Sequence, residues 1–253
     1  MFFVKYTYVQ DFYKKRSDNL NYCFADYRIS MEEEQKLKAL SISVIKVPKC
    51  EKIYDAINGH PDIQINILDS NTIIVQRDVP LAFLKQLDLL GIKYMLSSKS
   101  LTKNYPEDII LNAVNLKNHF IHNLKYTDET LKCTIKNKIN IQVSQGYTKC
   151  SCAIVSDNAL ITSDVKIHNE LTNNGFDVLL IPPGDILLPG LNYGFIGGTC
   201  GLTSNNELIF YGNLKNYKYG DMIIEFLKKY NVTPIFLNEG PLVDRGSLLF
   251  LSI

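Results

Sequence analysis

One pattern occurs five times in this chain and limits what it can fold into. Apolar residues lead into Asp or Asn, then one apolar residue, then usually a basic one. The copies are FADYR (24–28), VQRDVP (75–80), FIHNLK (120–125), LITSDVK (160–166) and IFYGNLK (209–215). Their markers are Asp26, Asp78, Asn123, Asp164 and Asn213, stepping by 52, 45, 41 and 49 residues. The second copy departs from the pattern, with Pro80 in the basic position. Repetition at this spacing is the signature of one supersecondary unit packed against copies of itself.

The flanks of the markers repeat as well. Four are preceded by an Asn/Asp/Ser-containing turn and a second apolar strand: 69–71, 115–118, 156–158 and 204–206. Strand, turn and strand reads as a hairpin. A helical pattern follows most markers. Ser30 and Glu33 form a capping box, Pro80 suits a helix start, and Gly91 and Gly175 suit helix ends. Residues 220–230 place Met222, Ile223, Phe226 and Leu227 at helical spacing; the segment after Asn123 carries the weakest helical pattern. Each helix feeds a strand: 43–47, 92–97, 139–144, 176–181 and 233–238. The unit is therefore strand, strand, helix, strand. The last hairpin runs off the C-terminus at LLFLSI, and FADYR supplies its missing strand. This pairing joins the two ends of the chain and predicts a single α/β domain over 1–253. An N-terminal arm covers 1–22, rich in Tyr and Phe, and a ring covers 23–253.

Composition narrows the function classes. With 253 residues, a net charge of +1 and 46% hydrophobic residues, the chain reads as an ordinary globular protein with a sizeable core. Near-neutral charge argues against nucleic-acid binding. No apolar stretch approaches the ~20 residues of a membrane helix. Lys5 interrupts the first apolar stretch, so no signal peptide is expected and a cytoplasmic location is the default. The six cysteines form no CxxC pair, which points to buried reduced thiols, with no metal and no cofactor.

Five such units closed in a ring resemble the pentein fold, a five-bladed β/α propeller. It is the fold of the guanidine-group-modifying enzymes: arginine and agmatine deiminases, dimethylarginine hydrolases and amidinotransferases. A ribosomal anti-association factor shares the architecture. GHPDIQI, QGYTKC, YGFIGGTCG and PLVDRGSL carry the resemblance to a bacterial branch of that superfamily with no assigned activity. In such rings the first strand of each unit faces the axis, and the segment leading into it lines the mouth. Here those lead-in segments are polar and rich in Gly and Pro: 59–62, 105–108, 145–150, 193–200 and 241–246. They bring Asp62, Asp108 and Asp244 toward one acidic pocket that suits a cation. By resemblance, Asp62 of the Pro-Asp segment helps hold a substrate guanidinium, and Asp108 stands at the Asp of the family's Gly-Gly-Asp entry. With Tyr147, Asp244 and Arg245, they are the candidate ligand-binding residues.

The catalytic pair implied by the resemblance is missing. The family's His position falls at Tyr147 or Thr148, and its Cys position at Leu249 or Phe250. Three readings follow. The first is a pocket for a small cationic or amino-acid-like ligand without the usual Cys/His pair. The second is a hydrolase or transferase on guanidines that uses relocated groups, with His60, Cys150 and Cys200 as candidates, Cys152 nearby and Asp62 orienting His60. The third is an interaction protein of the anti-association-factor type. An N-terminal arm docked on the ring, or on a second subunit in a homodimer, is an added expectation. The glycines of GFIGGTCG are expected to let backbone approach the axis.

Overall fold

The computed structural model describes residues 21–253; the expected N-terminal arm, but for its last two residues, lies outside the described residues. The described residues open with β1 (Asn21–Asp26), α1 (Met31–Ala39) and β2 (Ile42–Val47). A short helix α2 (Pro61–Gln64) leads into β3 (Ile65–Ile67), β4 (Thr72–Val75), α3 (Leu81–Leu89) and β5 (Lys93–Leu96). Next come β6 (Val114–Asn115), β7 (His119–His122), α4 (Glu129–Thr134) and β8 (Ile139–Gln142). A second short helix, α5 (Thr148–Ser151), leads into β9 (Cys152–Ser156), β10 (Ala159–Thr162), α6 (Val165–Asn173) and β11 (Asp177–Leu180). The last elements are β12 (Cys200–Leu202), β13 (Glu207–Phe210), α7 (Gly220–Lys229), β14 (Thr233–Phe236) and β15 (Leu249–Ser252).

These strands form five three-stranded sheets of one topology: β15-β1-β2, β3-β4-β5, β6-β7-β8, β9-β10-β11 and β12-β13-β14. The middle strand pairs antiparallel with the first and parallel with the third. The helix makes the crossover that a parallel pair requires. In the sheet that joins the chain ends, Cys23 lies opposite Phe250 and Phe24 opposite Leu249. The middle strands are covered on both faces, so they read as continuous apolar runs. Ile73–Val75, Phe120–Ile121, Leu160–Ile161 and Leu208–Phe210 are all fully buried. Each long helix buries a narrow stripe: Phe83 with Leu87, Ile167 with Leu171, and Ile223 with Leu227. In α1 the stripe is Glu33 with Leu37, so a carboxylate takes one core position.

The capping box at Ser30 and Glu33 is present. Gly91 and Gly175 leave their helices at φ +70° and +83°, and Ser41 and Asn231 take the same left-handed turn without a glycine. The five markers do not occupy equivalent places. Asp26 ends β1, Asp164 caps α6, and Asn213 caps a 3₁₀ turn at Leu214–Asn216. What these three share is local chemistry. Each accepts the backbone N–H two residues on, at 2.8–2.9 Å. Asp78 instead is exposed and pairs with Lys52. Asn123 donates to the Ser144 carbonyl. The repeat order is therefore as expected, while the marker register drifts. Among the described residues, no helix is long and apolar enough to cross a membrane.

Candidate functional site

Four of the five lead-in segments line one cavity of ≈270 Å³, and 105–108 stands behind it. Its walls carry Tyr54, Tyr147, Tyr193 and Phe195, with Ile57, Leu188 and Leu191; its polar groups include His60, Cys150 and Asp244. The rings of Tyr147 and Phe195 stack with centroids 6.3 Å apart, and Tyr105 tilts against Tyr147 at the same distance.

Backbone geometry fixes the acidic groups. Asp244 Oδ2 accepts the Phe195 N–H at 2.8 Å, and its Oδ1 accepts the Gly246 N–H at 3.0 Å. The segment Leu242–Asp244 pairs with Leu187, which holds Asp244 in register. A Cβ on Gly198 would stand 1.9 Å from Asp244 Oδ1, and one on Gly197 would stand 2.4 Å from the carbonyls of Lys149 and Cys152. The glycines of YGFIGGTCG are thus required by close approach. Burial pushes the Asp244 carboxyl above its ordinary range; the nearby Asp62 charge adds to this, and His60 opposes it. Asp108 accepts from the Tyr147 hydroxyl, which also lies 3.1 Å from the Tyr54 hydroxyl. Burial raises Asp108 too, against the pull of the Tyr147 hydrogen bond. Both effects raise Tyr147.

Below the cavity lies a fully buried network. Asp62 Oδ2 accepts from Ser247 Oγ at 2.6 Å, and Lys149 Nζ donates to the same Oγ at 2.9 Å. Asn112 ties three units together. It accepts from Lys149 N at 2.8 Å, and it donates to the Asp62 carbonyl at 3.0 Å and to Cys150 Sγ at 3.1 Å. Asp62 Oδ1, Asp108 Oδ1 and both ring nitrogens of His60 are buried without a hydrogen-bond partner among the described residues. Such groups are costly unless something else satisfies them. Among the described residues, no cluster of three His, Cys, Asp or Glu side chains is arranged to hold a metal.

The expected site residues therefore divide. Asp244, Tyr147, His60 and Cys150 line one cavity, and Asp108 backs it through Tyr147. Asp62 does not line it. Asp62 sits behind, held by Ser247, and His60 Nδ1 faces Asp244 Oδ1 at 3.9 Å. Arg245 turns away. Its Nη1 bonds Glu33 at 2.5 Å, and its guanidinium lies 5.3 Å from the Tyr211 ring centroid, so it welds the last lead-in segment to α1. Cys200 lies apart, among the first strands, with burial raising its thiol to about 12. Cys150 is held well above a normal thiol, by burial first and by the charges of Asp62 and Asp244 next. Tyr147 lines this cavity, whereas Leu249 and Phe250 line the other. Tyr54, Lys149 and Ser247 were not singled out from sequence. Ser247 carried a signal only in the DRGS turn, where it adopts φ +69°.

The profile of the Family of unknown function (DUF6873) matches residues 24–249. The chain belongs to that family. Its fold is that of the pentein superfamily. DDAH from Pseudomonas aeruginosa, complexed with citrulline, superposes with a TM-score of 0.53 at 10% identity, over 92% of this chain and 98% of that one. Agmatine deiminase from C. jejuni with substrate bound gives 0.52 at 14% identity, over 91% and 92%. SxtG, an amidinotransferase from Microseira wollei, gives 0.51 at 11% identity, over 90% of each chain. At these identities the likeness is one of fold. No curated protein matches the chain.

Proposed function

We propose that the five sheets close into one five-bladed ring over residues 23–253, and that the cavity among its lead-in segments binds a small guanidino- or amino-acid-like cation. Two features support closure: the β1–β15 pairing, and a second cavity to which the first strands of all five sheets contribute. One observation carries the ligand reading. A buried carboxylate, Asp244, opens into a ≈270 Å³ cavity walled by aromatic faces. Aromatic faces attract a cation that has left water, and a buried carboxylate completes its charge. That arrangement needs no Cys/His pair. DDAH with citrulline and agmatine deiminase with its substrate share the fold and set the ligand class to try first.

A thermal-shift panel of arginine, agmatine, citrulline, dimethylarginine and common amino acids tests the reading. At a hundredfold excess over Kd, a ligand specific for the folded state stabilises by about 2.7 kcal/mol. In a chain of this size that is a rise of roughly 5–10 °C. The rise is expected with the guanidino compounds and is lost in Asp244→Asn. A flat response across the panel would reject the ligand class.

A second reading has one observation in its favour: Cys150, His60 and Asp244 line the same cavity. A relocated nucleophile requires a thiolate. Burial and two carboxylates hold Cys150 as a thiol. Rapid alkylation of Cys150 alone at neutral pH would revive the relocated enzyme; slow alkylation leaves the binding reading in place.

A further inference from the structure

A second cavity, of ≈240 Å³, lies on the other side of the Asp62–Ser247–Lys149 network. The first strands of all five sheets contribute to it: β3, β6, β9, β12 and β15. Its walls are mixed: Ile154, Leu202 and Leu249 contribute aliphatic surface, and Asn66, Asn115, Lys117, Lys149 and Asp157 contribute polar groups. Lys149 stands at its inner end, because Lys149 precedes β9. Lys117 and Asp157, on the hairpin turns after β6 and β9, stand at its outer rim.

Lys149 is only 9% exposed, and its ammonium donates a single hydrogen bond among the described residues, to Ser247 Oγ. An ammonium has three donors, so two remain to be satisfied. A buried cation whose donors are unfilled is costly. The side-chain amides lining the cavity offer it little. Asn66 donates to the carbonyls of Leu111 and Ala113, and Asn115 donates to Asn66 and Ile67 while accepting from Lys138. The carboxylate that answers Lys149 through Ser247, Asp62, lines neither cavity.

We propose that this strand-side cavity is a binding site for a monocarboxylate with an apolar tail, its carboxylate on Lys149 and its tail against the aliphatic strand faces. The chemistry selects this class. One inner ammonium with two donors to fill matches the single charge of one carboxylate, and the aliphatic part of the wall suits an apolar tail. At the rim Lys117 and Asp157 offset each other, so selection rests on the inner ammonium. The proposal is independent of the cation site across the network.

Calorimetric titration at pH 7.5 with benzoate, isovalerate and hexanoate tests it, with benzamide as the neutral counterpart of benzoate. At least one carboxylate is expected to bind saturably at one site, and benzamide is expected to bind at least about tenfold more weakly than benzoate. Lys149→Met should weaken carboxylate binding by about tenfold or more, as expected for a lost charged hydrogen bond. Ile154→Phe, which narrows the cavity and leaves Lys149 in place, should also abolish binding and carries the test if Lys149→Met does not fold. Absence of saturable binding by all three carboxylates would overturn the proposal. So would benzamide binding as well as benzoate, or unchanged binding in a folded variant of either kind.

Discussion

The cavity among the lead-in segments and the cavity among the first strands come from the same five units, yet they differ in wall, charge and origin. The first is built from loops and single turns, so its lining is irregular: four aromatic rings, a carboxylate and an imidazole. The second is built largely from strands, so its lining draws on the first strand of every sheet, with Lys149 at its inner end and Lys117 at its rim. Strands fix which residues face inward by alternation. Lead-in segments fix theirs by individual hydrogen bonds, such as Phe195 N–H to Asp244. The buried Lys149–Ser247–Asp62 network lies between them; Lys149 lines the second cavity, and Asp62 lines neither.

Four substitutions break or sharpen this contrast. The largest effect is expected from Gly198→Val. A Cβ there stands 1.9 Å from Asp244 Oδ1, and the Gly198 carbonyl also accepts the N–H groups of Arg245 and Ser247. Overpacking at such a point costs about 3 kcal/mol or more. Urea denaturation should show that loss, together with loss of cation binding. A variant as stable as wild type would mean that this close approach is soft.

The next effect separates the pH response of the fold from that of the cavities. Burial lowers His122 from 6.5 to about 4, with its Nδ1 2.7 Å from Thr127 Oγ1. A depressed pKa means that the unfolded chain binds the extra proton first. The stability this histidine supplies is full above pH 6.5 and is lost as pH falls toward 4, by about 3 kcal/mol. His122→Gln should flatten that part of the stability profile, whatever its stability at pH 7. An unchanged slope would assign the acid response to other groups.

Arg245→Met comes third. Its partner Glu33 is buried on α1, so about 2 kcal/mol should be lost in thermal or chemical melts. Ligand binding in both cavities should stay as in wild type. A specific loss of cation affinity would return Arg245 to the pocket. The smallest change in free energy is expected from Asp244→Asn. It should weaken guanidino binding by at least about tenfold, or about 1.4 kcal/mol, and leave benzoate binding intact. Equal losses at both sites would show one coupled cavity.

Much of the fold was legible because it rests on local rules. The hairpin turns, the Ser30–Glu33 box, the helix-ending glycines and the pairing of FADYR with the C-terminal strand all follow from short-range chemistry. The marker register was not legible. Asp and Asn end a strand equally well at its last residue, at Asp26, or at a helix cap, at Asp164. The candidate site was half legible. Polarity of the lead-in segments picked out Asp244, Tyr147, His60 and Cys150, which do meet. Sequence could not say which way a side chain turns. Arg245 follows Asp244 directly and points to Glu33 on another element. Asp62 is bent behind the cavity by Ser247, 185 residues away in the chain. Tyr54 comes from a loop with no motif, lines the cavity and lies 3.1 Å from the Tyr147 hydroxyl.

The central claim is that the aromatic, acidic cavity takes a cation, and calorimetric titration of agmatine at pH 8 and pH 5 tests it most directly. Burial raises the Asp244 and Asp108 carboxyls, so lowering the pH protonates them early and removes the charge that a cation needs. The account predicts saturable one-site binding at pH 8, weaker binding at pH 5, and at least a tenfold loss at pH 8 in Asp244→Asn. No saturable heat at pH 8, or equal binding at both pH values and in the variant, would contradict it.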